Sequence, residues 1–313
     1  MRAVAVTAFG EEPRLLDLPQ PEPGPGEVLV RMSAAGLNPV DWRIADGAFK
    51  DSVAHAFPLI VGTDGAGEVV ETGAGVRRFV PGDAVFGQFW RPGRGLGSYA
   101  EYAVAEEKSL AHAPRSVTYT TSAAVPTAGT SAYNLVEETR AGEGKRMLIV
   151  GATGGVGTFA TQLAAGRGTE VIGTATAEKA ELLRTLGATD TVDHTLGPVA
   201  EQMRAAYPDG VDILLDLVSG PEEFDAMTKT VRDGGTAVST NGAADADALT
   251  ESNLRGFNFH NRPSPQLLEI LAGLVDAGRL TALVSNEVPL EQAHEALALS
   301  RAGRARGKTV VVT

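Results

Sequence analysis

A glycine-rich turn lies between two apolar segments, in the stretch MLIVGATGGVGTFATQLAA. Compared with the dinucleotide-binding pattern G-x-G-x-x-G, the turn has Ala152 in place of the first glycine and keeps Gly154 and Gly157. In this pattern the second glycine lets the backbone approach a pyrophosphate, and the third lets the following helix pack on the preceding strand. The N–H groups at the start of that helix then bind the anion. The sequence therefore predicts a dinucleotide-binding turn formed by Ala152, Thr153, Gly154, Gly155, Val156 and Gly157.

A tight strand-to-helix turn without a ligand is the alternative interpretation of these residues, whereas two other phosphate-binding patterns do not fit. A P-loop ends in Gly-Lys-Ser/Thr, but no lysine follows this turn. Short-chain reductases have a turn similar to TGGVG, but their catalysis needs a downstream Tyr-x-x-x-Lys pair. No tyrosine of this chain has a lysine four residues later.

The segments that must position this turn alternate between short apolar runs and helical patterns. The apolar runs are MLIV, EVIGTA, TVD, DILLDLV, TAVST and LRGFNF. Such alternation is typical of a doubly wound parallel sheet. After the turn, helical spacing recurs at Val156, Ala160, Leu163 and Ala164. Residues 1 to about 115 are instead rich in Gly and Pro and contain short alternating runs, which predicts an irregular β-rich domain. The predicted fold class is therefore α/β with a second, β-rich domain.

Composition restricts the classes of partner. A chain of 313 residues predicts two domains, and its formal charge of −12 argues against nucleic acid or anionic membranes as partners. The absence of cysteine excludes disulfides and thiolate metal sites. The N-terminus lacks an apolar signal core, and no apolar stretch is long enough to span a membrane. We therefore expect a cytoplasmic protein with a small-molecule substrate.

Several motifs together resemble the zinc-independent quinone oxidoreductase-like branch of the medium-chain dehydrogenase/reductase superfamily. They include GLNPVDWRIADG, VGTDGAGEVVETG, PGDAVFG, GSYAEYAV, AAVPTAGTSAYNLV and PLEQAHEALALSRAGRARGK. The resemblance covers essentially the whole chain. It implies a GroES-like catalytic domain at residues 1–120, completed by residues 261–313, and a Rossmann NADP-binding domain at residues 121–260. The final strand would then return to the first domain.

The same resemblance bears on metal binding and on the reaction. Zinc-dependent relatives hold their catalytic ion with a cysteine in the first motif and a His-Glu pair in the second, where this chain has Asn38, Thr63 and Asp64. Amide and hydroxyl groups are not usual zinc ligands, so we expect no metal. Without a Lewis acid, the expected reaction is hydride transfer from NADPH to an acceptor activated by conjugation, such as a quinone or an enone.

Candidate catalytic and cofactor residues follow from the family motifs. The resemblance places Asn38 near the nicotinamide and the substrate, and Asp41 in a supporting role. An Asx turn before Pro39 and a simple helix cap are the respective alternatives. The family also implies nicotinamide contacts after the first domain and after the fifth and sixth strands of the Rossmann sheet. The residues at those positions are Thr130, Ser131, Asn241 and Phe257.

The end of the second Rossmann strand bears on the choice of cofactor. NAD-binding proteins place an acid there to bind the ribose 2′-hydroxyl, but this chain has Thr174 and Ala175. Lys179 matches a family position for the 2′-phosphate, and His194 follows the third strand nearby. NADPH is therefore the predicted cofactor, although Lys179 also fits an ordinary exposed helix residue.

Two further expectations concern assembly and activity. The apolar run LRGFNF is predicted to be an edge strand, which favours pairing with a second copy in a homodimer. A noncatalytic protein that binds or senses NADPH on the same fold is the alternative function. Some relatives carry tyrosines just after the first motif, but Arg43 and Phe49 stand there, so no proton donor is identified.

Overall fold

The computed structural model describes all 313 residues, which form two compact units. The discontinuous unit comprises Met1–Thr130 and Pro263–Thr313, and the inserted unit comprises Ser131–Arg262. The first division falls ten residues beyond the position expected from the sequence. Residues of this intervening segment bond within the discontinuous unit, since the Thr127 N–H donates to Asp64 at 2.8 Å.

Sixteen strands form three sheets. In chain order they are β1 (Arg2–Val6), β2 (Arg14–Asp17), β3 (Glu27–Gly36), β4 (Leu59–Ile60), β5 (Asp64–Thr72), β6 (Ala84–Gln88), β7 (Tyr102–Glu106), β8 (Leu110–His112), β9 (Arg146–Val150), β10 (Glu170–Ala175), β11 (Asp190–Asp193), β12 (Val211–Asp216), β13 (Val231–Ser239), β14 (Arg255–Asn258), β15 (Asn286–Pro289) and β16 (Thr309–Val312).

Ten α-helices and three short 3₁₀ helices connect the strands. The α-helices are α1 (Pro39–Ala45), α2 (Tyr119–Ala123), α3 (Pro126–Glu138), α4 (Gly155–Ala165), α5 (Ala177–Thr185), α6 (Val199–Ala206), α7 (Pro221–Thr228), α8 (Ala246–Glu251), α9 (Pro265–Asp276) and α10 (Ala293–Arg301). The 3₁₀ helices are Pro92–Arg94, Glu107–Ser109 and Leu290–Gln292. None of the helices has both the length and the apolar character that crossing a membrane requires.

Two sheets form the discontinuous unit. Three antiparallel strands have the order β2-β1-β4, and a seven-stranded sheet has the order β15-β16-β3-β5-β6-β8, with β7 also paired to β3. The final strand β16 runs antiparallel to β3, with Val310 opposite Gly36. This pairing brings residues near the C-terminus next to the start of α1.

The inserted unit contains a six-stranded, entirely parallel sheet. Its order is β11-β10-β9-β12-β13-β14, the doubly wound order in which the first strand along the chain lies near the centre. All six residues of β12 are buried, because helices cover both faces of such a sheet. This confirms the predicted α/β fold class and places the glycine-rich turn at the carboxyl end of the central strand β9.

Candidate functional site

The glycine-rich turn begins directly after β9 with a residue in the left-handed region. Gly151 has φ +83°, and a Cβ there would lie 2.8 Å from the side chain of Val218. The N–H of Gly151 donates to the Thr174 hydroxyl at 2.9 Å, so the end of β10 fixes the start of the turn. The hydroxyl of Thr174, a residue predicted to bind the cofactor, therefore stabilises the start of the turn.

The two glycines predicted to serve the cofactor have different surroundings. Gly154 precedes α4 and has ordinary extended angles, and a Cβ there would meet only the Gly151 carbonyl at 3.3 Å. At Gly157 a Cβ would lie 2.3 Å from the same carbonyl and 2.6 Å from the Cα of Ala152. Gly157 therefore packs α4 against the turn, whereas Gly154, at the N-terminus of this eleven-residue helix, has a single close backbone neighbour.

The residues that bear on cofactor choice lie at the carboxyl ends of β10 and β11. Ala175 is buried, while Lys179 and His194 are exposed. The carboxylate of Asp193 accepts the Ala177 N–H at 3.0 Å and so caps α5, the helix that carries Lys179 in its first turn. Hydrogen bonds from Thr195 and Ala177 keep the pKa of Asp193 below its usual value. Asp193 was not among the predicted site residues, although it ends a predicted strand.

The remaining cofactor candidates differ in exposure. Asn241 is exposed beyond β13, and Phe257 is half-buried in β14 beneath the guanidinium of Arg255, 5.4 Å from its ring centre. Thr130 is fully buried, and its hydroxyl donates to the Pro126 carbonyl at 2.6 Å, a bond internal to α3. Ser131 is also buried.

Asp216, a buried acid outside the predicted site residues, ends β12 beside the glycine-rich turn. Asp216 Oδ1 accepts the N–H groups of Val218 and Ser219 at 3.0 and 2.9 Å. Its second oxygen, Oδ2, has no hydrogen-bond partner although the residue is buried. An unpartnered buried acceptor at the carboxyl edge of a parallel sheet is a candidate ligand contact.

In the discontinuous unit, α1 begins after Asn38 with Pro39 at its first position. Asp41, three residues after Asn38, accepts the Asn38 N–H at 2.8 Å, so the alternative interpretation of Asp41 as a helix cap describes a bond that is present. Its carboxylate also accepts the hydroxyls of Thr63 at 2.9 Å and Tyr99 at 2.8 Å. Burial, despite these bonds, raises the pKa of Asp41 to about 6.

The amide of Asn38 is bonded at both ends. Its Nδ2 donates to Asp64 at 2.9 Å, with the Gly36 carbonyl at 3.3 Å and the Thr63 hydroxyl at 3.4 Å as further acceptors. Its Oδ1 accepts from Lys308 at 2.7 Å. Asn38 is 5% exposed, so the structure shows an amide held by the protein itself.

Asn38, Asp41, Thr63 and Asp64 form a buried polar cluster with three residues that were not predicted to be functional, namely Tyr99, Thr127 and Lys308. Tyr99 was interpreted as a core residue, and it is fully buried, but burial and the neighbouring Asp41 raise the pKa of its hydroxyl well above the usual value. Thr127 donates its hydroxyl to Asp64 at 2.6 Å. Lys308 is the last residue of the motif PLEQAHEALALSRAGRARGK and directly precedes the run TVVV, but nothing in that motif connects it with Asn38.

An aromatic group packs against the same core as α1. It consists of Trp42, Phe49 and Trp90, and the rings of Phe49 and Trp90 lie 5.6 Å apart. The guanidinium of Arg43 lies 5.3 Å from the centre of the Trp42 ring. The indole N–H groups of Trp42 and Trp90 are buried and have no acceptor. The group therefore combines flat apolar surface with two unused hydrogen-bond donors.

Comparison with known proteins gives two family matches. Residues 24–115 match the alcohol dehydrogenase GroES-like domain, and residues 186–311 match the zinc-binding dehydrogenase family.

Individual relatives match over nearly the full chain. A chloroplastic quinone oxidoreductase of Triphysaria versicolor is 32% identical, over 99% of this chain and 98% of its own. A 2-methylene-furan-3-one reductase of Solanum lycopersicum is 31% identical, over 91% of this chain and 71% of its own.

Solved structures agree with these matches. The quinone oxidoreductase of Coxiella burnetii has a TM-score of 0.89 at 28% identity, covering 100% of this chain and 99% of its own. A mycobacterial protein solved with NADPH has a TM-score of 0.85 at 26% identity, covering all of both chains.

The zinc named by one family description does not fit the residues present. Asn38 and Thr63 offer an amide and a hydroxyl, and both oxygens of Asp64 accept hydrogen bonds from Asn38 or Thr127. No group of three or more His, Cys, Asp or Glu side chains in the chain is arranged to hold a metal ion. The buried cation of this cluster is instead the ammonium of Lys308.

Proposed function

Because the chain belongs to the medium-chain dehydrogenase/reductase superfamily and is related to its quinone oxidoreductases, we propose that it is an NADPH-dependent oxidoreductase that needs no metal ion. Its acceptor is a quinone or an activated C=C bond of an enone or enal. The observation that carries the proposal is the glycine-rich turn between the carboxyl end of β9 and the N-terminus of α4, where only the Gly151 carbonyl approaches the position of a Cβ at Gly154.

In this proposal the inserted unit holds the cofactor. The N–H groups at the start of α4 bind the pyrophosphate, and Gly154 leaves room for it. Lys179, exposed in the first turn of α5, pairs with the 2′-phosphate of NADPH. Residues near the nicotinamide end are proposed to be Thr130, Ser131, Asn241 and Phe257. Bound NADPH supplies the hydride.

The discontinuous unit positions the acceptor. Asn38 and Asp41, the proposed catalytic residues, are held in the buried cluster and fix the start of α1. The aromatic group of Trp42, Phe49 and Trp90 offers flat contact area for a conjugated ring, and an indole N–H can stabilise an oxygen that gains negative charge. Hydride adds to the conjugated acceptor, the displaced electron pair moves to its carbonyl oxygen, and solvent supplies the proton.

The test is NADPH consumption with a panel of quinones, alkenals, enones and simple ketones. We expect turnover of at least one conjugated acceptor and poor turnover of every unconjugated ketone, because the site offers polarisation and positioning rather than strong acid catalysis. Treatment with EDTA should leave the rate unchanged. Activity that disappears with EDTA, or a simple ketone reduced fastest of all, would contradict the proposal.

Tight NADPH binding without turnover of any acceptor would instead favour the noncatalytic sensor. The predicted cytoplasmic location stays a prediction.

A further inference from the structure

Lys308 is the buried cation of a cluster that also contains Asn38, Asp41 and Asp64. It directly precedes β16, and the pairing of β16 with β3 carries it to the start of α1. Its Nζ donates to Asn38 Oδ1 at 2.7 Å and to the Leu37 carbonyl at 3.0 Å. Lysine is almost never fully buried unless it is paired, yet Lys308 is only 5% exposed.

The charges around this ammonium explain its burial. Asp41 and Asp64 are both completely buried, and a buried carboxylate is costly without a compensating charge. Asp64 accepts three bonds, from Asn38 Nδ2 and from the N–H and hydroxyl of Thr127. Lys308 lies beyond direct ion-pair contact with both acids and is joined to Asp64 through the amide of Asn38.

This arrangement determines which way the Asn38 amide faces. An ammonium can only donate hydrogen bonds, and an ionised carboxylate can only accept them. Rotation of the amide by 180° would place its NH₂ group against Lys308 and its oxygen against Asp64, so two favourable bonds would become two repulsive contacts. The orientation of Asn38 therefore follows from the chemistry of its two neighbours.

We propose that Lys308 is a positioning residue of the active site. It is the internal cation that holds the amide of Asn38 in one orientation, and Asn38 stands where zinc-dependent relatives place a metal ligand. Its effect on catalysis rests on the proposed function above, whereas its effect on the Asn38 amide does not. Lys308 acts through Asn38, so its loss changes turnover of the acceptor and leaves cofactor affinity in place.

The experiment compares Lys308→Met, which keeps the chain length and removes the charge, with Lys108→Met at an exposed lysine. The ¹⁵N side-chain amide signals of Asn38 are identified by their absence in Asn38→Ala. In the wild type we expect slow hydrogen exchange of this amide. In Lys308→Met we expect exchange at least tenfold faster, kcat at least tenfold lower and the NADPH Kd within twofold of the wild type. Lys108→Met should match the wild type throughout.

The double variant Lys308→Met/Asp64→Asn covers the case in which the single variant does not fold, because it removes one charge of each sign. We expect it to fold but to keep the fast amide exchange and the low kcat, since Asn38 Oδ1 still lacks its donor. A folded single or double variant with a protected Asn38 amide and wild-type kcat would overturn the proposal. If no acceptor is turned over by the wild type, the proposed function fails, but the exchange measurement still decides the role of Lys308.

Discussion

Asp41 shows how burial and hydrogen bonding oppose each other at a single carboxyl group. Three donors, one backbone N–H and two hydroxyls, favour the ionised form. Complete removal of water favours the neutral form and dominates, so the pKa of Asp41 rises to about 6 from 3.8. Burial also raises the pKa of Asp64, although Lys308 and Thr127 oppose this shift. Burial therefore opposes the ionisation of both carboxyl groups.

The pKa of Asp41 predicts a pH dependence of stability. A carboxyl whose folded pKa exceeds its unfolded pKa stabilises the folded state below the unfolded value, and this stability is lost as the pH rises through the folded value. The folded pKa of about 6 against 3.8 corresponds to about 3 kcal/mol. Relative to wild type, Asp41→Asn should therefore gain about 3 kcal/mol in unfolding free energy between about pH 3 and pH 8.

Urea unfolding at a series of pH values measures this difference. Asp51→Asn, at an exposed carboxyl, is the control for replacement of an acid. A difference between Asp41→Asn and wild type that stays constant across the series, or that shrinks toward pH 7, would show that burial does not control this carboxyl.

At the other candidate site, two opposite charges near the start of α5 predict the cofactor preference. Lys179→Ala should weaken NADPH binding at least tenfold, about 1.4 kcal/mol, and leave NADH nearly unchanged, because only NADPH carries the 2′-phosphate. Asp193→Asn should raise the preference for NADPH over NADH, because the negative carboxylate of Asp193 caps the same helix and repels the 2′-phosphate. Fluorescence titration with both cofactors measures the ratio. If Lys179→Ala lost equal affinity for NADPH and NADH, the 2′-phosphate would not bind at Lys179.

At the scale of single elements, α4 and its turn separate what a glycine does for the fold from what it does for a ligand. A methyl group at Gly157 would overlap the backbone of the turn, whereas one at Gly154 would meet only a carbonyl at 3.3 Å. Overpacking of this kind costs about 1 to 3 kcal/mol. We therefore expect substitutions at the two positions to affect different properties of the protein.

We expect Gly157→Ala to lower the unfolding free energy of the cofactor-free protein by about 1 to 3 kcal/mol. Gly154→Ala should lower that stability less than Gly157→Ala does, because its methyl group lies 3.3 Å rather than 2.3 Å from the Gly151 carbonyl. It should weaken NADPH binding at least tenfold, because the methyl group occupies the space proposed for the pyrophosphate. Thermal unfolding and NADPH titration of both variants test this division. If Gly154→Ala bound NADPH as tightly as wild type, the pyrophosphate would not bind at Gly154.

The elements also show which parts of the structure the sequence could predict. Short, mostly apolar runs predicted the ends of β9 and β10 to within one residue and those of β12 to within two, because strands buried on both faces need such runs. The buried face of α4 was predicted less well. Val156 and Leu163 are only half-buried, while Gly157 and Thr161 are fully packed. Close packing against the turn selects small residues, and apolar spacing does not detect them.

The candidate site shows the same limit more strongly. Asn38 and Asp41 could be selected because both lie within one local motif, GLNPVDW. Their partner Lys308 lies 270 residues after Asn38, and its contact depends on the pairing of β16 with β3. Local patterns carry no information about such a long-range contact, so only the fold revealed it.

At the scale of the whole molecule, β14 is the edge of the parallel sheet and pairs only with β13. We expect a homodimer in which two β14 strands pair, with a light-scattering mass of about 65 kDa, twice the 32.4 kDa of one chain. Phe257→Lys should shift the mass toward one chain, because a lysine on an edge strand opposes pairing. Thr191→Lys, on the opposite edge strand β11, should leave the light-scattering mass unchanged. A wild-type mass of 32.4 kDa at micromolar concentration would exclude this dimer.

On the ribosome, Asn38, Asp41 and Asp64 are synthesised long before Lys308. At ordinary elongation rates, residues 131 to 308 take about 10 to 35 s to add. The inserted unit is continuous in the chain and can complete its sheet during that time, whereas the N-terminal segment waits with two carboxylates that have no ammonium and with the end of β3 unpaired. A ribosome stalled just before Lys308 would therefore display a finished inserted unit together with an unfinished discontinuous unit, whose two buried carboxylates still lack their ammonium.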